Sequence, residues 1–392
     1  MTRNQNPAKT TAARHVAFSL FSIICPGHST GMGTAGPKIP FIIMTQSIRS
    51  IAVWQTAFLG DAVLTLPLIH TLAEAYPGIP LDLYVRQGVD PLFLAQRELR
   101  KVYGFAKRGA HKGIRGALAL GAFLHDQDYD VLISVHRSFR SALVARRSGI
   151  AMRIGYDTPF YNKLAYTHTV SRRFSQLEEI ERQLQLVLPL NITHKISTPR
   201  LDLIPEVKAN VDNFFHSHVN GPCIGLNPGS VWATKRWPTE YFGQVADMAA
   251  SQGLQVIIFG GPGEEETVRQ VIEATQPETR PALLNMAAKL NLPELACFIS
   301  RLDAYLTNDS GPMHIAWTLG TPTVALFGPT VESLGFFPRG SHSRVLQTEL
   351  GCRPCGLHGS QTCSQGHHRC MRDISPQLAW NTMQKVMREQ AS

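Results

Sequence analysis

The sequence predicts an α/β protein with two successive domains and a cleft between them. Its 392 residues are too many for one ordinary domain and suit two. A hydrophobic fraction of 44% can fill two cores, and a charged fraction of 17% excludes a disordered chain. Strand–turn–helix patterns recur in both halves, and each half places a glycine-containing turn at the expected edge of its sheet. These observations favour two α/β domains that meet at those edges.

The pattern is clearest between Asp303 and Phe327, where it predicts a β-α-β unit. The expected elements are strand Asp303–Thr307, a turn to Pro312, helix Met313–Leu319 ended by Gly320, and strand Thr321–Phe327. Asp309 is predicted to be the N-cap of the helix, and Pro312 suits its first turn. The free N–H groups around Ser310 and Gly311 would then form a cradle for phosphate. An ordinary capped helix remains the alternative.

The first half begins with a predicted strand at Ser50–Gln55, followed by a helix at Asp61–Tyr76 and a strand at Ile79–Val85. Asp61 lies where the first strand leads into the helix, so the helix dipole is expected to keep its carboxylate ionised. Two interpretations stay open for this residue alone. It is either a general base at the edge of a cleft or a plain helix cap.

The second half is predicted to repeat this organisation after a linker with an amphipathic helix at residues 189–222. Its expected elements are strands Cys223–Asn227 and Gln255–Phe259 and helices Thr239–Gln252 and Leu292–Ser300, with a last helix at Pro376–Arg388. A tight turn at residues 260–263 precedes acidic residues that open a helix, but it lacks the GxGxxG spacing of a dinucleotide loop. One of these acidic residues could accept ribose hydroxyls.

Lysine and arginine exceed aspartate and glutamate by 38 − 29 = 9, which predicts an anionic partner. Loops around residues 103–116 and 136–153 contain Lys107, Arg137 and Arg140, which could grip a phosphorylated acceptor or form a solvated face. The chain shows neither an aromatic-interleaved RNA signature nor a helix-turn-helix pattern. No nucleic acid is therefore expected as a partner.

The ends of the chain carry two further patterns. Basic residues precede the apolar stretch Val16–Cys25, which resembles a signal peptide, but we favour residues 1–43 as an extension outside a fold that begins at Met44. Seven cysteines in so long a chain favour reduced thiols. Four of them form a C-terminal cluster, Cys352, Cys355, Cys363 and Cys370, which either binds structural zinc or consists of packed thiols.

Four segments together resemble the motifs of glycosyltransferase family 9, the bacterial lipopolysaccharide heptosyltransferases. They are FLGDAVLTLPLI (58–69), NPGSVWATKRWP (227–238), FGGPGEEE (259–266) and TNDSGPMHIAWTLGTPTVALFGPT (307–330). The resemblance implies a GT-B fold, in which two Rossmann-like domains face each other across a cleft. Residues 44–200 would bind the acceptor, residues 201–372 would bind the nucleotide sugar, and residues 373–392 would form a helix packing back on the first domain.

The resemblance also implies roles for single residues. Asp61 matches the catalytic carboxylate of the family, and Lys235 matches the lysine that neutralises the donor diphosphate. The other implied substrate-binding residues are Ser230, Glu264, Glu265, Leu290, Asp309, Ser310, Gly311 and His314, with one glutamate of Glu264–Glu266 at the ribose and Leu290 against adenine. Lys107, Arg137 and Arg140 would meet the acceptor. No metal and no cofactor is expected.

The activity implied is inverting transfer of heptose from ADP-L-glycero-D-manno-heptose to a Kdo-lipid A acceptor, with ADP as the leaving group. The enzyme would work in the cytoplasm, at the inner face of the cytoplasmic membrane, and the cysteine cluster favours addition of the second heptose. A sugar-nucleotide epimerase of the same fold and a zinc-stabilised nucleic-acid-binding module remain alternatives.

Overall fold

The computed structural model describes residues 47–106, 109, 111–193 and 198–391, and the chain from Ile48 onward forms one compact unit. The predicted extension 1–43 and Lys107 lie outside the described residues. The strands are β1 Ile51–Gln55, β2 Leu81–Arg86, β3 Lys101–Phe105, β4 Val131–Ser134, β5 Met152–Tyr156, β6 His168–Val170, β7 Cys223–Asn227, β8 Gln255–Ile258, β9 Leu283–Asn285, β10 Ala304–Asn308, β11 Thr323–Phe327 and β12 Ser343–Gln347. The helices are α1 Leu59–Val63, α2 Leu66–Ala75, α3 Gly113–His125, α4 Phe139–Ser148, α5 Asn162–Ala165, α6 Glu179–Leu184, α7 Pro205–His218, α8 Thr239–Ala250, α9 Glu265–Glu273, α10 Leu292–Ile299, α11 Gly311–Thr318, α12 Arg369–Arg372 and α13 Pro376–Ala391.

The strands form two parallel six-stranded sheets of the same topology. The orders are β3-β2-β1-β4-β5-β6 and β9-β8-β7-β10-β11-β12, so each domain starts at the centre of its sheet and winds outward in both directions. This is the Rossmann strand order, in which ligands bind at the carboxyl edge of the central strands. The central strands β1, β7 and β10 are buried along their whole length because helices cover both faces. Two α/β domains are thereby confirmed.

The first helical segment is divided, although the sequence predicts one helix from Asp61 to Tyr76. Helix α1 ends at Val63, and α2 starts at Leu66 with Pro67 in its first turn. Proline has no N–H group to donate to the carbonyl four residues earlier, so a continuous helix would lose the bond to Val63. The break leaves α1 as a short element at the carboxyl end of β1.

Helix α1 contacts helix α11 of the second domain at positions where only glycine fits. A Cβ atom added at Gly60 would lie 2.6 Å from Cδ2 of His314, and one added at Gly311 would lie 2.9 Å from Cδ2 of Leu59. Such separations are well inside van der Waals contact, so any side chain there would push the helices apart. The two domains therefore touch directly beside the cleft.

A second contact between the domains uses the segment before and within α6. Nη1 of the buried Arg182 donates to the carbonyl of Leu334 at 2.8 Å, and the amide of Glu179 donates to the carbonyl of Gly335 at 3.0 Å. Arg339 pairs with Glu178. These bonds tie the loop after β11 to the first domain.

The last helix, α13, packs on the second domain, so the expectation that it returns to the first domain is wrong. Ala379, Met383 and Val386 form a buried stripe at helical spacing, and they belong to the same core as the strands of the second sheet. Helix α13 contacts α8 and strands β10 to β12. This apolar stripe therefore covers the second sheet.

Among the described residues, no helix is long and apolar enough to cross a bilayer.

Candidate active site

A pocket opens between the two domains, with about 790 Å³ of empty space including its mouth. Seven of the residues singled out in the sequence line it together: Asp61, Ser230, Lys235, Asp309, Ser310, Gly311 and His314. They come from the loops and helices that follow β1, β7 and β10, at the carboxyl edges of the two sheets.

Lys235 and Asp309 form a buried ion pair in the wall of this pocket. Nζ of Lys235 lies 2.5 Å from Oδ2 of Asp309, and the same oxygen accepts a hydrogen bond from Oγ1 of Thr330 at 2.6 Å. The lysine ammonium has three donors, so the pair leaves N–H groups for a ligand. The expectation that Asp309 caps α11 is wrong, because its carboxylate is held by Lys235 and Thr330 instead.

The N-cap of α11 is Ser310, which has extended backbone and makes no side-chain capping bond. Its hydroxyl faces Nδ2 of Asn227 at 3.4 Å, so it is directed to the strand ends and not to the helix amides. The first N–H groups of α11 therefore meet the pocket without a side-chain cap, at the positive end of the helix dipole. This arrangement can bind an anion.

The Asp61 carboxylate lines the same pocket from α1 of the first domain. The amide of Phe58 donates to its Oδ2 at 3.2 Å. Burial and the nearby negative charge of Glu179 raise the pKa of Asp61 to about 6, against the lowering effect of Phe58 and Arg172. We expected the helix dipole to favour the ionised carboxylate, but the raised pKa shows that burial outweighs it. Asp61 is therefore a stronger base than an ordinary aspartate and is still ionised at neutral pH.

Glu179 is itself held in an ion-pair network. It contacts Arg172, and Nη1 of Arg182 lies 3.2 Å from its Oε2. Arg182 also stacks on the Phe174 ring, with the guanidinium carbon 4.1 Å from the ring centroid. The group that raises the pKa of Asp61 is thus fixed by the same arginine that bonds the second domain.

His314 is buried against α1 and is neutral at physiological pH. Burial lowers its pKa to about 4. The indole N–H of Trp317 lies 3.3 Å from Nδ1, which fits an imidazole that carries its proton on Nε2. His314 can therefore donate a hydrogen bond into the pocket without adding charge.

Glu264 and Glu265, which the sequence could not separate, differ in the structure. Glu264 packs against the backbone of Gly229, next to the pocket residue Ser230, and accepts from the amide of Gly261 at 2.8 Å. Glu265 is exposed and accepts from the amide of Gly263 in its own turn. Leu290 is half-buried against the core and is not among the residues that line the pocket. Glu264 is the acidic residue nearer to the pocket.

The two arginines expected to meet an acceptor have different surroundings. Partial burial and the nearby charge of Arg172 lower the pKa of Arg137. Arg172 also lowers the pKa of Asp61, so Arg137 and Asp61 both lie near Arg172 and on the same side of the cleft. Arg140 donates to the carbonyl of His111. Its guanidinium therefore helps to hold the loop before α3.

The sequence did not indicate that the cysteine-rich segment helps to build the pocket. Leu357 and His358 line it, and the segment then bonds Thr234 beside Lys235: the amide of Thr234 donates to the carbonyl of Ser360 at 3.0 Å. His368 adds a 2.8 Å contact to the Thr234 carbonyl. In the described part of the chain, no three His, Cys, Asp or Glu side chains are grouped so as to hold a metal ion.

A second cavity lies in the first domain beside the pocket. Phe58 lines both, and the rest of its wall includes Thr56, Arg86, Gln87 and His136. Arg86 is the last residue of β2, Gln87 follows it and His136 follows β4, so this cavity is also at the carboxyl edge of the sheet. Its position next to Asp61 suits a second substrate.

A family profile shows which family the chain belongs to. The profile described as glycosyltransferase family 9 (heptosyltransferase) matches residues 117–363, more than half of the chain. The chain belongs to this family. It is therefore a glycosyltransferase, and its two facing domains are the GT-B fold.

Relatives and a solved structure agree with this assignment. The chain is 34% identical to lipooligosaccharide heptosyltransferase 2 of Campylobacter jejuni, over 84% of this chain and 96% of the relative. It is 27% identical to lipopolysaccharide heptosyltransferase 2 of Escherichia coli K12, over 83% of this chain and 95% of the relative. The structure of E. coli ADP-heptose lps heptosyltransferase II has the same fold, with a TM-score of 0.73 at 24% identity over 88% of this chain and 100% of the other.

The glycine contact between the domains gives a first testable prediction. Gly311→Ala is expected to lower the free energy of unfolding by about 1–3 kcal/mol, because its Cβ would overlap Leu59. Urea denaturation measures this loss. Leu59→Ala in the same chain should recover part of it, and an equal loss in the double variant would show that the contact is not the cause.

Proposed function

We propose that this glycosyltransferase moves heptose from ADP-L-glycero-D-manno-heptose to the inner core of lipopolysaccharide, with inversion at the anomeric carbon. The observation that carries the proposal is the pocket between the domains. The first domain contributes the Asp61 carboxylate to its lining, and the second domain contributes Lys235 and the N-terminus of α11. Inverting transfer needs this pairing: a base on the acceptor side and stabilised negative charge on the leaving-group side.

Asp61 acts as the general base in this proposal. It removes the proton from the acceptor hydroxyl as that oxygen attacks the anomeric carbon from the face opposite the ADP. A pKa of about 6 keeps Asp61 ionised at neutral pH and makes it a better proton acceptor than a solvated aspartate. Glu179 contributes by raising that pKa, and Arg172 limits the rise.

Lys235 and the first amides of α11 stabilise the ADP leaving group. Negative charge develops on the β-phosphate as the bond to the sugar breaks, and cations or amides placed there lower the barrier without needing to reorganise. Asp309 holds the ammonium in place, and its own charge is neutralised by the same pair. Thr330 adds a second bond that fixes the carboxylate.

The remaining donor contacts follow from the same placement. Neutral His314 and the Ser230 hydroxyl can bond the sugar and phosphates, and Glu264 reaches the ribose from beside Gly229. We place adenine against Leu290 on the resemblance alone. No metal is assigned a role in this mechanism.

The acceptor binds to the first domain. The cavity that contains Arg86 and His136 adjoins Asp61, and arginine suits the carboxylates and phosphates of a Kdo-lipid A core. Arg137 lies on the same side, whereas Arg140 supports the 111 loop. The relatives named heptosyltransferase 2 favour addition of the second heptose. We propose that the transfer takes place at the inner face of the cytoplasmic membrane.

Nucleotide selectivity tests the donor half of this proposal. Calorimetric titration in the presence of EDTA should show binding of ADP and much weaker binding of UDP and GDP. Lysine and helix amides bind the diphosphate of each, so the difference reports the base pocket. A preference for UDP would contradict an ADP-heptose donor and favour the epimerase. Loss of ADP binding in EDTA would contradict metal independence.

The pH dependence tests the role of Asp61. Protonated Asp61 cannot accept a proton, so kcat/KM should fall tenfold per pH unit below about pH 6. Glu179→Gln removes the charge that raises this pKa, so the acid limb should move to lower pH. A pH profile of kcat/KM for both proteins measures the shift. A limb at the same pH in both would show that Glu179 does not act on the base.

A further inference from the structure

Four apolar side chains form a cluster on the surface of the first domain. The aromatic patch consists of Phe139, Phe160, Tyr161 and Leu164. Phe160 is 82% exposed and Leu164 75%, the two highest values for large apolar residues in the described chain, and Phe139 is 57% exposed. The ring of Tyr161 joins them, with centroids 5.4 Å from Phe139 and 5.7 Å from Phe160. Single exposed apolar residues are ordinary, but a contiguous group marks an interaction surface.

The patch lies at the edge of the sheet that carries the candidate base. Phe139 begins α4, which follows β4, and Phe160 and Tyr161 stand between β5 and α5. Loops after parallel strands share the carboxyl edge, where α1 also begins after β1. Tyr161 and Arg172 both lie close enough to Arg137, two residues before Phe139, to shift its pKa. The charge of Arg172 also lowers the pKa of Asp61. The patch therefore borders the acceptor side of the cleft.

Basic residues lie next to the patch. Between His136 and Val170 the chain has six basic residues and one acidic residue, Asp157. Arg153 is buried, and Arg146 and Arg147 lie at the other end of α4 from Phe139. Lys163 and Arg137 are exposed and stand within two residues of Tyr161 and Phe139 in the chain. Phenyl and tyrosyl rings settle at the boundary between headgroups and acyl chains, and lysine and arginine are attracted to anionic lipid headgroups. The two properties together fit one kind of partner.

We propose that the aromatic patch docks this enzyme on an anionic phospholipid bilayer, with Phe160 and Leu164 entering the interface. The inference rests on the proposed function, since a lipid A acceptor is itself anchored in the bilayer. Docking by this patch turns the acceptor side of the cleft towards the membrane, so that the sugar core can reach Asp61 while its acyl chains remain in the lipid. Lys163 and Arg137 meet the headgroup phosphates.

Vesicle co-sedimentation, with no nucleotide or sugar present, tests the proposal. The full chain should bind phosphatidylcholine vesicles that contain phosphatidylglycerol, and bind much less to phosphatidylcholine alone or in high salt. Phe160→Ser with Leu164→Ser should weaken binding about tenfold or more, since two apolar side chains lose their lipid contact. Leu378→Ser, an exposed leucine on α13, is the matched control and should bind like the unchanged chain.

Equal binding by the double variant and the control, or no vesicle binding by the unchanged chain, would overturn the proposal. Sedimentation velocity excludes another occupant: a dimer that the double variant disperses would assign the patch to self-association. Transfer to an acceptor dispersed in detergent should be unaffected in the double variant. If the unchanged chain binds vesicles but transfers no heptose, the proposed function fails and the docking surface stands.

Discussion

Asp61→Asn is expected to lower kcat for heptose transfer by about 10²–10⁴-fold, the usual contribution of a positioned general base. The amide has nearly the shape of the carboxylate and keeps an oxygen that can accept from the Phe58 amide, so α1 is preserved. ADP binding should persist because Lys235 and α11, which we propose to hold the diphosphate, belong to the second domain and are unchanged. Steady-state kinetics and ADP titration of the same protein measure the two effects separately.

Stability provides an independent check on this variant. In the folded chain the pKa of Asp61 is raised above the ordinary aspartate value. At a pH above that ordinary value, the ionised carboxylate therefore lowers the free energy of unfolding. Asp61→Asn should therefore leave the melting temperature unchanged or raise it. Asp126→Asn, at an exposed position after α3, is the matched control and should alter neither activity nor stability. Turnover near normal in Asp61→Asn would show that Asp61 is not the general base.

Lys235→Met is expected to lower kcat/KM by about 10²–10³-fold and to weaken ADP binding, because the leaving group loses its cation. The same change leaves Asp309 buried without its partner, which by itself costs about 3–5 kcal/mol of folding free energy. The loss of activity could then arise from local unfolding. A second variant is needed to separate the two effects.

Lys235→Met combined with Asp309→Asn makes that separation. The asparagine is uncharged and can still bond Thr330, so stability should largely return. Activity should stay low, because the cation is still missing. Urea denaturation and kinetics on the single and double variants give both quantities. Recovered activity in the double variant would mean that Lys235 serves only to pair with Asp309.

The elements that sequence patterns predicted well are those set by local chemistry. Strand Cys223–Asn227 and the β-α-β unit around Asp309 follow from buried apolar runs bounded by turns, and they were found within one or two residues. The capping role of Asp309 was wrong because a lysine 74 positions away competes for the carboxylate. The predicted packing of α13 on the first domain was wrong because an apolar stripe in the sequence does not indicate which sheet it covers.

The parts of the site that were missed depend on contacts distant in sequence. The cysteine-rich segment lines the pocket through Leu357 and His358 because it bonds Thr234, a residue more than a hundred positions earlier. Glu179 acts on Asp61 from another helix. No local pattern in a single sequence indicates such pairings. Asp61 and Lys235 could be singled out because each follows a recognisable strand and matches a motif of the family, and both line the pocket.

A transfer assay tests most directly whether this enzyme adds heptose to the lipopolysaccharide core. The purified chain would be incubated with ADP-L-glycero-D-manno-heptose and a Kdo-lipid A acceptor that already carries one heptose, and the acceptor analysed by mass spectrometry. We expect an acceptor heavier by one heptose residue, formed with release of ADP in the presence of EDTA. An acceptor of unchanged mass, with the donor intact, epimerised or merely hydrolysed, would contradict it.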